Sequence, residues 1–175
     1  MQSVELLVTL KIPDVTALTA AGALRRRMGY ADTLRSLTRA DYYRLELASP
    51  TVEAAALLVT ELAEKTNVFV NPNKHVYDVL TGEAAAAASP EGLHSVRVLV
   101  TDPADGSAEG ALAALQGRLG YGESVRGLLK GVLWTLTIAA NSPEAAREVA
   151  QEIAVTRARE HGLLMNPHFQ ECLVG

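Results

Sequence analysis

Apolar and polar side chains alternate along residues 4–10, with Val4, Leu6 and Val8 on one side and Glu5, Leu7 and Thr9 on the other. Period-two alternation predicts a strand with one buried face. Val96, Val98 and Val100 against Arg97, Leu99 and Thr101 repeat the pattern. Leu7 and Leu99 set an apolar group on the nominally wet face of each strand, which fits either cover from the other half or a partner, or stray surface leucines of the ordinary kind. From Thr16 the period becomes helical. Ala17, Ala20, Ala21, Leu24 and Met28 form one stripe, and Ala108, Ala111, Leu112, Leu115 and Leu119 form its counterpart. Gly29 and Gly120 then stop both helices as residues that accept left-handed dihedrals.

Residues 30–47 carry Leu34, Leu37, Tyr43, Leu45 and Leu47 about a bend at Ala40-Asp41. Val125, Leu128, Trp134, Leu136 and Ile138 follow the same plan about Lys130-Gly131. This pattern fits two strands in a hairpin or one long strand kinked at its middle. A second helix places Ala55, Leu58, Val59 and Leu62 on its stripe, matched by Ala146, Val149, Ala150 and Ile153. Ser142-Pro143-Glu144 opens the latter as N-cap, first-position proline and first-turn acid, and its helix is expected to run on through Arg157-Ala158-Arg159. Asn71-Pro72 and Asn166-Pro167 turn the chain into final strands at 76–80 and 170–174, because the residue before proline is biased away from helix.

Every element therefore occurs twice. Val4 matches Val96 at an offset of 92 (96 − 4), Tyr30 matches Tyr121 at 91 (121 − 30), and Asn71 matches Asn166 at 95 (166 − 71). Two copies suit two small domains about a pseudo-two-fold axis, like a homodimer fused into one chain. The expected division is 1–80, a linker at 81–95 with one helical turn at most in Ala84 to Ala88, and 96–175. Each half reads as α+β, a small antiparallel sheet with two helices on one face, in the ferredoxin-like manner. A body of ~80 residues buries only about 60 % of the surface its unfolded chain exposes. The bare sheet face of one half is thus the natural cover for that of the other.

The 175 residues are 49 % hydrophobic and 21 % charged with a net charge of −4, so no field draws the chain to nucleic acid or an anionic membrane. No basic and apolar leader opens the sequence, and no apolar run approaches the ~20 residues that span a bilayer. A cytoplasmic globular protein is expected. Cys172 is the sole cysteine, and His75, His94, His161 and His168 lack ligand spacing. Gly117-x-x-Gly120-x-Gly122 lies at a helix C-terminus, where the dipole repels anions. Arg25, Arg26 and Arg27 read as a solvated helix face near the negative dipole end. Acidic residues are scattered, with no pair recurring in both copies. No catalytic set, metal site or cofactor is expected.

What recurs is the Val-Thr strand end, the Gly-Tyr stop, a basic residue before the bend and Asn-Pro. On these pieces the first copy resembles PurS, the small subunit of phosphoribosylformylglycinamidine synthase. The matching residues are Val8-Thr9-Leu10-Lys11, Gly22-Ala23-Leu24-Arg25 running into Met28-Gly29-Tyr30, Arg39 with Tyr42 and Leu45, Asn71-Pro72 and Tyr77. The second copy keeps Val100-Thr101, Gly110-Ala111-Leu112, Leu119-Gly120-Tyr121, Lys130-Gly131, Leu136-Thr137-Ile138 and Asn166-Pro167. It departs at Asp102, Leu133 and Cys172, where the first copy has Lys11, Tyr42 and Tyr77. The loop after Lys11 is also shorter than the family's.

The resemblance implies two PurS-like subdomains without catalytic residues of their own. They would belong to an ATP-dependent ligase complex of purine biosynthesis, in which nucleotides bind to the synthase subunit. Implied partners are the synthase (PurL-type) and glutaminase (PurQ-type) subunits, with further self-association. Candidate interface residues are Lys11, Tyr30, Arg39, Asn71, Pro72, Tyr77, Tyr121, Lys130, Asn166 and Pro167. The alternative is a tandem ferredoxin-like module that binds a small regulatory molecule.

Overall fold

The computed structural model describes residues 1–82, 90–155, 164–166 and 168–175. In chain order the elements are β1 (Gln2–Leu10), α1 (Val15–Arg27), β2 (Leu34–Leu47), α2 (Val52–Lys65), β3 (His75–Leu80), β4 (Leu93–Thr101), α3 (Ser107–Gln116), β5 (Val125–Ala139), α4 (Pro143–Val155) and β6 (Glu171–Val174). The protein is α+β, as its patterning predicts. Its strands form a six-stranded open antiparallel sheet in the order β3-β1-β2-β5-β4-β6. β4 begins at Leu93, inside the stretch expected as linker. The helical turn expected at Ala84 to Ala88 and the extension through Arg157-Ala158-Arg159 lie outside the described residues.

The choice between a hairpin and one kinked strand falls to the second: β2 and β5 are continuous over 14 and 15 residues. Their length governs how the cores are shared. A strand of that size rises roughly 45 Å, whereas a compact body of ~80 residues has a radius of gyration of about 12 Å. One small core cannot cover such a strand, so each long strand serves two.

The chain accordingly divides into compact units that are not contiguous in sequence, unlike the expected 1–80 and 96–175. The first unit takes Met1–Ile12, Ala40–Ala84 and Ala104–Gly131; the second takes Pro13–Arg39, Ala85–Pro103 and Val132–Gly175. The first core joins Val4, Leu6 and Val8 of β1, Leu45 and Leu47 of β2, Val59 and Leu62 of α2, and Leu115 of α3. Tyr43 tilts against Phe69 there, with ring centroids 4.8 Å apart. The second core joins Ala17, Ala20, Ala21 and Leu24 of α1 to Val96, Val98 and Val100 of β4, Trp134, Leu136 and Ile138 of β5, and Ala146, Ala150 and Ile153 of α4. Thus α1, from the first copy of the sequence repeat, packs with strands and a helix of the second copy. Its counterpart α3 packs with those of the first.

On the strand face away from the helices, Tyr42 in the first unit is 2 % exposed and Leu133 in the second is 4 % exposed. They sit opposite Leu7 and Leu99 in the registers β1–β2 and β4–β5. The two leucines that break the alternation therefore lie beside buried neighbours. The hydroxyl of Tyr42 donates to Glu5 at 2.8 Å, which satisfies its polar end.

Candidate functional site

The repeated motifs occupy equivalent local structures, and each can be built up from its backbone. Gly29 and Gly120 end α1 and the turn after α3 with φ of 81° and 79°. The next N–H folds back in both places, Tyr30 N onto Leu24 O at 3.2 Å and Tyr121 N onto Leu115 O at 2.9 Å. This closure satisfies carbonyls that a helix end leaves unpaired. It also aims both tyrosines at the second helix of the opposite copy. In the first unit the Tyr121 hydroxyl donates to Glu61 of α2 at 3.4 Å. In the second, burial and then the carboxylate of Glu152 on α4 push Tyr30 up to about 12.

The basic residue at each bend is tied to the start of a helix. Arg39 Nε meets Asp14 Oδ2 at 2.9 Å, and the other oxygen of Asp14 caps α1 by accepting from Thr16 N at 2.8 Å and Ala17 N at 3.2 Å. Lys130 Nζ lies 2.7 Å from Ser107 Oγ and 3.4 Å from Asp105. Hydrogen bonds from Ser107 and the Lys130 charge hold the Asp105 carboxyl below its ordinary value. Solvent screening keeps each of these ion pairs weak. Their geometry locks helix to strand and leaves neither cation free for a substrate.

Arg25, the first of the arginine run, is explained by the same matching. Arg25 donates from Nε to Leu34 O at 2.9 Å, and also to Arg35 O. Its counterpart Gln116 donates to Val125 O, again at 2.9 Å. Both side chains pair the first carbonyl of a long strand, so Arg25 has a structural duty that a neutral residue performs equally.

The Asn-Pro turns close alike. Asn71 Oδ1 accepts from Asn73 N, and Asn71 N donates to His75 Nδ1 at 3.2 Å. Asn166 Oδ1 accepts from His168 N, and Asn166 N donates to Gln170 at 2.8 Å. Pro167 lies outside the described residues. Lys11 reaches the first turn, donating from Nζ to Pro72 O at 2.6 Å. Tyr77 donates to Glu64 of α2 at 2.8 Å, and that hydrogen bond, then burial, raises its hydroxyl.

The candidate interface residues therefore divide. Lys11, Asn71, Pro72, Tyr77, Tyr121 and Lys130 belong to the first unit, and Tyr30, Arg39 and Asn166 to the second. Within the first unit, Lys11 joins the Asn71-Pro72 turn, and Tyr77 and Tyr121 converge on one ridge of α2 through Glu64 and Glu61. The acids escape a reading of the sequence because they form no pair within a copy. Asp14 and Asp105 match at an offset of 91 (105 − 14), as do Glu61 and Glu152 (152 − 61). Lining the copies up acid by acid reveals them.

Chemistry elsewhere is sparse. Among the described residues no three His, Cys, Asp or Glu side chains are placed to hold a metal ion. Burial raises the Cys172 thiol, which disfavours its nucleophilic form. A Cβ on Gly117 or Gly122 would press on the carbonyls of Ala113 or Gln116 at 3.1 and 3.0 Å. That glycine-rich turn is a close-packed helix end. A shallow groove in the second unit is lined by Val15, Thr16, Thr19, Ala20 and Trp134. Among the described residues no helix is long and apolar enough to cross a membrane. The chain matches no protein-family model, no curated protein and no solved structure.

Proposed function

We propose that this chain is a PurS-like, non-catalytic bridging subunit of phosphoribosylformylglycinamidine synthase, acting in cytoplasmic purine biosynthesis. Its copies form two ferredoxin-like subdomains about a pseudo-two-fold axis. It holds the ATP-dependent synthase and the glutaminase in register for ammonia transfer. The observation that supports this most is the fate of the recurring residues. Tyr121, Arg39, Lys130 and the Asn-Pro turns all make bonds that brace the fold. A scaffold needs such bracing. Ammonia that escapes to water becomes ammonium, which has no lone pair for attack, so its transfer requires two sites held together and shielded. That task calls for shape and contact surface in the third protein.

The Lys11–Pro72 turn and its counterpart at Asn166 are the partner-facing surfaces of this reading. It is tested by purifying the chain with the synthase and glutaminase subunits and assaying glutamine-driven and ammonium-driven synthesis separately. Glutamine-driven activity should fall when the chain is left out, while ammonium-driven activity persists. Equal glutamine-driven rates with and without the chain would remove the proposal. The groove beside Trp134 favours the alternative, a small-molecule-binding regulatory module. A metabolite that alone raised stability by about 2.7 kcal/mol at one hundred times Kd would select it.

A further inference from the structure

Beside Trp134 the second unit is open. Val15, Thr16, Thr19 and Ala20 of α1 wall a groove floored by Trp134 of β5, and it offers about 370 Å³, within the range of small-molecule sites. None of these five side chains is charged. Asp14, just ahead of them, is taken up by Arg39 and by the first backbone N–H groups of α1. The groove walls therefore offer no counter-charge to an ion of either sign. Trp134 is 6 % exposed. Among the described residues its indole N–H has no hydrogen-bond partner, nor have the hydroxyls of Thr16 and Thr19. A buried N–H shut off from water as well would be costly; that of Trp134 keeps its access through the groove it lines. The first unit is built otherwise. Gly106 and Gly110 stand where α1 has Val15 and Thr19, at an offset of 91 (106 − 15), so α3 has no side chains for the same wall. Tyr43 stands in place of Trp134 (134 − 43 = 91) and is already packed on Phe69, with ring centroids 4.8 Å apart.

We propose that this groove binds a small uncharged molecule that presents a flat apolar ring to Trp134 and a hydrogen-bonding edge to Thr16 and Thr19. An aromatic or heteroaromatic ring buries apolar area against the indole, Val15 and Ala20, and gains an offset or edge-to-face contact with the indole ring. Each threonine hydroxyl both donates and accepts, and the indole N–H donates, so a ligand hydroxyl, amide or ring nitrogen finds its match. A charged ligand would give up its hydration with no paired charge in return. This inference deepens the regulatory-module reading and rests on it, independently of the synthase reading. A metabolite that stabilised the chain without moving Trp134 would keep that reading and remove this one.

Trp134 is the only tryptophan, so a single indole N–H resonance reports on the groove in isotope-labelled full-length protein. The probes are β-naphthol, uncharged at neutral pH because phenols ionise near pH ~10, and its charged relatives β-naphthoate and β-naphthylmethylammonium. Naphthol should move the resonance saturably at about millimolar concentration, and the two ions should bind about tenfold more weakly. Thr19 is exposed, so Thr19→Phe fills the groove without disturbing the core. Its circular dichroism should match the parent while naphthol binding is lost. Thr19→Val keeps the shape, removes the hydroxyl and should weaken binding about fivefold. Saturation by naphthoate at the same concentration as naphthol would overturn the proposal. So would the absence of a saturable shift with naphthol, or unaltered binding in either Thr19 variant.

Discussion

Tyr30 and Tyr43 set the alkaline limit of this fold. Burial comes first in raising both to about 12, with Glu152 adding to Tyr30 and Asp41 to Tyr43. An unfolded tyrosine ionises near 10. Below that pH neither state differs in protonation and the full stability is present. Between about 10 and 12 the unfolded chain sheds protons that the folded one keeps, and stability falls by roughly 2–3 kcal/mol per tyrosine. Urea denaturation at pH 8 and 11 should show this slope, and Tyr30→Phe with Tyr43→Phe should flatten it. The Asn-Pro turns make a second residue-scale prediction. His75 and Gln170 do the same work, each accepting an asparagine N–H. His75→Gln should therefore stay within about 0.5 kcal/mol of the parent, while His75→Ala should lose about 1 kcal/mol in the same assay.

At the scale of elements, the long strands and the helix stops decide the architecture. Gly29 and Gly120 have open space where a Cβ would go, so Gly29→Ala and Gly120→Ala meet no clash. Their cost is the left-handed backbone alone, about 1–2 kcal/mol each by thermal or urea unfolding. Leu24→Ala tests the exchange of α1. It should cost about 3–5 kcal/mol, and it should do so in the core that holds Trp134, the only tryptophan. Trp134 fluorescence should thus report an earlier transition. A contiguous first domain would leave that signal unmoved. Helices, strand periods and caps were legible because period, capping residue and stop act within a few residues. Ser142 caps α4 from just before it, as its sequence predicts, whereas the Asp14 cap of α1 and its tie to Arg39 emerge only in the fold. Whether β2 turned back was not legible. The apolar pattern about Ala40-Asp41 fits a hairpin and a kinked strand alike, and the continuous pairing of β2 decides between them.

At the scale of the whole molecule, the interwoven units change what cutting the chain should do. A protease site placed within residues 83–89 would separate two independent domains if the halves were contiguous. Here each unit takes strands and a helix from both sides of that stretch. The cleaved fragments should co-elute under native conditions and part only in denaturant. Size-exclusion chromatography before and after cleavage checks this, and two freely separating folded fragments would contradict it.

The sequence by itself determined the α+β class, the helix and strand periods and the motifs that recur. All of these are recorded in local periodicity and in self-similarity along the chain. Tertiary structure alone decided which copy supplies each core and which acids receive Tyr30, Tyr121, Arg39 and Lys130. Both copies present nearly equivalent apolar stripes, so local pattern cannot rank a helix packing at home against one packing across. The length of β2 and β5 breaks that degeneracy: a strand too long for one small core carries its helix into the next.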